Sequence, residues 1–335
     1  MTEPTSDPIE QIEQAGQALV RVKEQIGRRI VGQDEVVELA LTAILSGGHA
    51  LVVGVPGLAK TRLVDTLGTV LGLDTNRIQF TPDLMPADIL GSEVLEEGPD
   101  GSRAFRFIDG PVFTQLLMAD EINRASPRTQ SALLQAMQEG EVTVAGQHRT
   151  LARPFHVLAT QNPIEQEGTY PLPEAQLDRF LLQIDIDYPS RDEERDIVLS
   201  TTGVEEDEAE PVLDAQGLIA LQRLVRQVPV GESVVEAILN LVRSARPDTP
   251  EGSEAARSRL AWGPGPRAAQ ALTLASRARA LLSGRLAPSL ADVSALARPA
   301  LTHRMALTFA ARAEGATIAG VIDDLLKGSA LEEAA

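Results

Sequence analysis

Residues 54–61 read Gly54-Val55-Pro56-Gly57-Leu58-Ala59-Lys60-Thr61 and follow directly on the apolar run Ala50-Leu51-Val52-Val53. A short buried strand, a turn built on two glycines, then a lysine and a hydroxyl opening a helical stretch to Leu71 describe a phosphate-binding loop. Glycines let backbone N–H groups turn inward and approach a phosphate. The helix N-terminus adds its partial positive charge. Lys60 is placed to reach β- and γ-phosphates, and Thr61 to hold Mg²⁺. Ala59 stands where the general pattern asks for glycine, and it is small enough to keep the assignment. The competing reading is an ordinary glycine-containing strand-to-helix turn. The strand before and the helix after favour nucleotide binding.

A chain of 335 residues has room for two domains with sizeable cores. Hydrophobic residues at 43% and charged ones at 23% fit a soluble globular protein. Cysteine is absent, which excludes disulfides and thiolate–metal sites and suits a reducing compartment. No secretory signal and no run of 18 apolar residues is visible, so a cytoplasmic protein without a membrane span is expected. The net charge of −18 disfavours nucleic acid as the main partner, because duplex binding needs a basic face. Only 3% of residues are aromatic, which leaves few platforms for stacking single strands.

Apolar spacing predicts helices over 8–46, with Ile9, Ile12, Leu19 and Val22 on one and Val37, Leu41, Ile44 and Leu45 on the next. Strands are expected at Leu51–Val53, Ile78–Phe80, Leu116–Met118, Phe155–Leu158 and Leu181–Ile186, with helices between them at 61–71 and 127–138. That alternation is the mark of an α/β fold with a parallel sheet between helices. Ser92–Leu95 with Arg103–Phe107, and Glu141–Val144 with Arg149–Leu151, read as two β-hairpins. For the first, a disordered surface excursion is nearly as good a reading. Strand signals stop after Ile186. An α/β domain over 1–189 and an all-α lid over 190–335 follow, with loops at Glu205–Glu210 and about 246–258.

Leu116-Leu117-Met118-Ala119 ends in Asp120 and Glu121. Two acids at the end of an apolar strand call for a cation. Asp120 suits Mg²⁺ held mostly through water, and Glu121, facing the other way, suits polarising an attacking water. A further strand, Phe155–Gln161, leads to Asn162, whose amide could orient that water or simply shape the turn before Pro163. Three strand ends thus converge where open α/β sheets bind ligands. Arg267 follows Pro266 at a helix start, the unfavourable end of the dipole for a cation, and a phosphate nearby would resolve the misfit. Arg179 admits two roles, a charge-stabilising finger or a salt bridge to Asp178 or Glu174. His49, His148, His156 and His303 show no metal-ligand spacing, and Trp262 is expected to pack the lid beside Arg267.

The order of these pieces resembles the MoxR-type AAA+ ATPases. Ile30-Val31-Gly32-Gln33, the phosphate loop, Ala119–Ala125, Ala159–Pro163 and Leu172–Phe180 carry the likeness, which spans about 10–330 and is dense from 30 to 190. Ala59 fits the family's version of the loop. The resemblance implies that Gly32 and Gln33 lie at the adenine, that Asn162 is sensor 1, Arg179 the arginine finger and Arg267 sensor 2. It implies a helix-2 insert at about 86–112 and a pre-sensor hairpin at 140–151. It further implies Mg-dependent ATP hydrolysis in a ring, expected to be a hexamer, in which Arg179 serves a neighbouring subunit. Arg124 and Arg128 are weaker candidates for subunit contacts. The expected work is chaperone-like remodelling or maturation of protein clients, with a von Willebrand factor A-domain partner or metal cofactor insertion as family themes. The expected nucleotide site is the interdomain cleft, touched by Lys60, Thr61, Asp120, Glu121, Asn162 and Arg267. The rival readings are a DNA-directed motor and a nucleotide-dependent scaffold with little turnover.

Overall fold

The structure is a computed structural model that describes residues 8–97, 102–164, 168–201, 208–327, 329 and 331. In chain order the first half runs α1 (Pro8–Gly27), α2 (Asp34–Leu45), β1 (Ala50–Gly54), α3 (Lys60–Leu71), β2 (Thr75–Gln79), α4 (Pro86–Leu90), β3 (Gly91–Glu97), β4 (Arg103–Asp109), β5 (Leu116–Asp120), α5 (Pro127–Glu139), β6 (Glu141–Val144), β7 (Gln147–Thr150), β8 (His156–Gln161), α6 (Glu174–Leu177) and β9 (Leu182–Ile186). Then come α7 (Arg191–Thr201), α8 (Ala215–Gln227), α9 (Glu232–Ser244), α10 (Glu254–Arg259), β10 (Leu260–Trp262), α11 (Pro266–Leu282), α12 (Leu290–Leu301), β11 (Ala306–Leu307), α13 (Phe309–Ala313) and α14 (Ile318–Lys327).

The central sheet has the order β2-β5-β8-β1-β9, and its neighbouring strands pair in parallel. β1, β5 and β8 are buried on both faces, as the strands of a parallel sheet commonly are, while the edge strand β2 is exposed apart from Ile78. Side chains alternate across it. Ala50, Val52, Leu116, Met118, Leu158, Leu182 and Ile184 point into one core with α1, α2, α3 and the helices after 214. Leu51, Leu117, Ala119, Val157 and Ala159 point into the other with α5. The first core is continuous from the sheet into α8, α9, α11 and α12. The carboxyl-terminal helices are therefore not hung beyond the sheet's ligand-binding end. They lie along one face, where α11 packs on α1 and α2.

Both hairpins are present. β3 pairs with β4 from Gly91↔Asp109 to Glu97↔Arg103, and its tip, residues 98–101, lies outside the described residues. β6 and β7 join through Ala145 and Gly146, both with positive φ (51° and 78°), as a tight two-residue hairpin turn demands. Arg149 of β7 stacks on the Phe107 ring of β4 at 3.7 Å, so the two hairpins touch. Of the acidic loop expected at Glu205–Glu210, residues 205–207 lie outside the described residues, and Glu208–Glu210 forms neither helix nor strand. The helical region departs from the all-α expectation in one detail: β10 and β11 pair antiparallel, Leu260 with Leu307. Three- and two-residue strands leave no period to read. Among the described residues no helix is long and apolar enough to cross a membrane.

Candidate functional site

β1 delivers the chain to the phosphate loop at Gly54, where an added Cβ would meet the Ile186 carbonyl at 2.9 Å. Glycine is what lets β1 end so close to β9. Gly57 (φ 87°) and Ala59 (φ 53°) then turn the loop through left-handed conformations. Ala59 is thus strained where glycine is not, by about 1 kcal/mol. Lys60 opens α3 and donates from Nζ to the Gly54 carbonyl at 2.5 Å, across the mouth of the loop. Burial holds its ammonium below the ordinary value, while Asp120 and Glu121 pull it back up.

The acids at the end of β5 are held by side chains that spacing along the chain does not reveal. Thr160, two residues before Asn162 on the adjacent β8, donates from its hydroxyl to Asp120 Oδ1 at 2.6 Å and accepts the Glu121 N–H at 2.8 Å. On the other side β2 supplies Arg77, 2.6 Å from Asp120 Oδ2, and Gln79, whose Nε2 donates to Glu121 Oε2 at 2.8 Å. Arg124 donates to the same Glu121 oxygen at 2.8 Å, so this arginine pairs within its own chain. Glu121 has φ 55°. A non-glycine residue in that region is held there by its surroundings, here the Thr160 bond behind and the 3₁₀ turn Ile122–Arg124 ahead.

Asn162 is 5% exposed, and its Oδ1 accepts the Ile164 N–H at 3.1 Å, so its carbonyl does shape the turn around Pro163. Among the described residues its amide nitrogen has no hydrogen-bond partner. Gln33 donates to the Leu58 carbonyl at 3.3 Å, tying the start of α2 to the phosphate loop. Its Oε1 is buried without a partner among the described residues. A cavity of about 540 Å³ opens beside the loop, lined by Gly54, Val55, Pro163, Asp185, Tyr188 and Arg298 among others. Burial raises the Asp185 carboxyl above its usual range, with the Gln183 side chain opposing. Thr61 and Asp120 offer hard oxygens of the kind Mg²⁺ takes. Among the described residues no group of three His, Cys, Asp or Glu could cage a metal. The ion would therefore keep water and phosphate oxygens, as Mg²⁺ commonly does.

The arginines lie elsewhere. Arg179 precedes β9, and Arg267 opens α11; both line a pocket of about 230 Å³ with His49, Leu181, Ala271 and Leu274. His49 and Leu181 stand at the amino ends of β1 and β9, whereas the phosphate loop leaves the carboxyl end of β1. A five-residue strand puts about 16 Å between those ends. The expectation that Arg267 touches a nucleotide on its own chain's phosphate loop is corrected here. Its misfit with the α11 dipole is met by Asp178, 3.6 Å away. Asp178 also accepts from Arg304 at 2.7 Å, so it is committed to these two and not to Arg179. Trp262 lines a neighbouring cavity with Asp178, Gly265 and Arg304.

Buried histidines floor this end of the sheet. His49 Nδ1 accepts the Val157 N–H at 3.0 Å, which makes Nε2 the donor to the Met137 carbonyl. His156 bonds the Gly48 carbonyl through Nδ1 at 2.8 Å and accepts from Gln222 at Nε2. Both rings are thereby fixed as neutral tautomers. Burial pushes the His49 pKa to about 3 and that of His156 to about 4.

This sheet, with its phosphate loop, acidic strand end and amide, defines a P-loop nucleotide-binding protein of the AAA class. Residues 49–182 match the sequence model of the ATPase family associated with various cellular activities, and 253–325 match that of the AAA lid domain. The chain is 42% identical over 309 residues to Chaperone MoxR1 of Mycobacterium tuberculosis, covering 92% of this chain and 81% of that one. It is 31% identical to Protein MoxR of Paracoccus denitrificans, covering 83% and 86%. A crystal structure of a Cytophaga hutchinsonii protein described as a candidate ATPase superposes with a TM-score of 0.87 at 36% identity, over 95% and 96% of the two chains. The chain belongs to the MoxR family of AAA+ ATPases.

Proposed function

We propose that this chain hydrolyses ATP, and that each active site is completed by arginines from a neighbouring copy. The observation that carries the reading is the convergence of Lys60, Thr61, Asp120, Glu121 and Asn162 at the carboxyl ends of three adjacent strands. In this reading Lys60 leaves the Gly54 carbonyl for the β- and γ-phosphates. The turn Gly57–Ala59 wraps them with backbone N–H groups. Thr61 and Asp120 hold Mg²⁺, which would neutralise charge on the phosphate oxygens. Gln33 Oε1, buried and without a partner among the described residues, suits an amino group on the base. Glu121 takes a proton from water as the water oxygen bonds to the γ-phosphorus and the bond to the β-bridging oxygen breaks, releasing ADP and phosphate. For this its carboxylate must leave Gln79 and Arg124. Asn162 offers its amide N–H₂ to the water or the γ-phosphate.

Arg179 and Arg267 sit too far from their own chain's loop to join that step, and they share one pocket. Two arginines lining one pocket, with a single carboxylate, Asp178, shared between Arg267 and the buried Arg304, suit an anion brought by another subunit. A ring is the arrangement in which every site receives such a pair, and a hexamer is the expected size. The relative named as a chaperone supports protein remodelling as the work done. A von Willebrand factor A-domain partner, or insertion of a metal cofactor into a client, falls within the same proposal. The net charge of −18 stands against a DNA-directed motor. The preformed Glu121–Thr160 contact favours turnover over a non-hydrolysing scaffold.

The test is made on variants. Lys60→Ala should weaken MgATP binding in a folded protein. Arg179→Ala should bind ATP and hydrolyse it ~10³-fold or more slowly, as loss of an arginine finger does. Mixed assemblies of the two should recover turnover, with mass measurement confirming that mixing occurs. Mixed assemblies that stay inactive at every ratio overturn the placement in trans. Wild-type turnover by Arg179→Ala overturns the finger itself.

A further inference from the structure

We propose that Asp178 is the positioning residue that holds Arg267 in place for a neighbouring nucleotide, an inference that rests on the trans reading above. Its carboxylate is divided between two arginines of different character. Oδ1 accepts from Nε of Arg304 at 2.7 Å, and Oδ2 faces Nη1 of Arg267 at 3.6 Å. Arg304 is 3% exposed and spends its remaining N–H groups on the carbonyls of Phe180 (2.7 Å), Leu181 (3.1 Å) and Ala300. It is a fixed platform. Arg267, by contrast, has a 53% exposed side chain and, among the described residues, one ion-pair partner, Asp178.

Three features make that partner matter. Arg267 lies in the first turn of α11, where the helix dipole repels a cation, so without a carboxylate it would turn to solvent. Arg304 repels it as well; burial is the main influence lowering the Arg304 pKa, Asp178 opposes it, and Arg267 adds to it. Three arginines, Arg179, Arg267 and Arg304, line the pocket with one carboxylate, Asp178, and the apolar wall of Leu181, Ala271 and Leu274 adds no compensation. The cluster thus keeps a surplus of positive charge that an incoming phosphate can meet. At 3.6 Å the Asp178–Arg267 contact is loose enough to be re-aimed toward that phosphate.

Asp178 also spans two parts of the fold. Arg304 and His303 follow α12, and His303 bonds the Phe180 carbonyl at 3.0 Å. Asp178 itself ends α6 and directly precedes Arg179. A shift of the carboxyl-terminal helices is therefore carried through Arg304 and Asp178 to both arginines.

The experiment is a double-mutant cycle on ATP turnover with Asp178→Asn, Arg267→Ala and the two combined, in the assembled protein. Because Asp178→Asn leaves the buried Arg304 without its counter-charge, Asp178→Glu, which keeps the charge one methylene farther out, is measured beside it. We expect both Asp178 variants to lose roughly tenfold or more in kcat, the scale of a positioning contact, with KM little changed. The combined variant should lose no more than Arg267→Ala alone. Asp178→Asn should also recover turnover when mixed with Lys60→Ala, as a lesion on the arginine-donating side must. Losses that multiply in the combined variant, or wild-type kcat in both Asp178 variants while Arg267→Ala is impaired, overturn Asp178 and leave the trans reading standing. Wild-type turnover by Arg179→Ala and Arg267→Ala overturns both.

Discussion

Thr160 connects the two acids through one hydroxyl. It donates to Asp120 and accepts from the backbone of Glu121, so a single oxygen fixes the carboxylate and the strained backbone beside it. Thr160→Val keeps the shape and removes both bonds. It should lower kcat by roughly 10–100-fold with ATP affinity retained, and cost about 1–3 kcal/mol for the unpaired Glu121 N–H. Turnover assays and urea melts read the two effects separately. Ala59 makes the opposite case, since its left-handed φ is a penalty that glycine escapes. Ala59→Gly should leave folding stability unchanged or raise it by up to about 1 kcal/mol while ATP still binds. His156 adds a pH dependence. Burial holds its folded pKa at about 4, below the ordinary value of 6.5, so only the unfolded chain gains a proton as pH falls through that window. Its contribution is present in full above about 6.5 and is lost as pH falls toward 4, on the order of 3 kcal/mol. His156→Gln, though less stable at pH 8, should remove that part of the slope in stability measured against pH.

At the scale of elements, the hairpins are joined where sequence gave no hint. Arg149 of β7 stacks on Phe107 of β4, and Phe107 meets Phe113 edge to face with centroids 5.9 Å apart. A cycle of Arg149→Ala and Phe107→Ala should yield a coupling energy of about 0.5–1 kcal/mol. A coupling near zero would mean the hairpins move independently. The strands, the phosphate loop and both hairpins were legible because each is a local pattern of periodicity and turn residues. Asp120, Glu121 and Asn162 were legible because each ends a strand. Thr160, Arg77 and Gln79 were not, since their roles depend on which strand lies beside which. Arg267 was assigned to the wrong end of the sheet for the same reason. Its helix start is plain in Gly265-Pro266, but where α11 docks is decided by apolar contacts with α1 and α2.

At the scale of the molecule, the charge of −18 predicts how the ATPase responds to partners. Turnover should rise with a protein client and stay flat with single- or double-stranded DNA at physiological salt. Strong stimulation by DNA would favour a motor instead. The separation of phosphate loop and arginine pocket by the length of a strand has a further consequence. A two-fold dimer could join loop to pocket only through one patch that contains both, and it would complete just two sites. A head-to-tail contact joins the two directly, and such a contact either closes on itself or propagates into a filament. The two kinds of lesion then differ in reach. A copy lacking Lys60 silences its own site, and a copy lacking Arg179 silences its neighbour's. A copy lacking both silences two sites, so at low doses the double mutant should poison wild-type assemblies about twice as steeply as either single one.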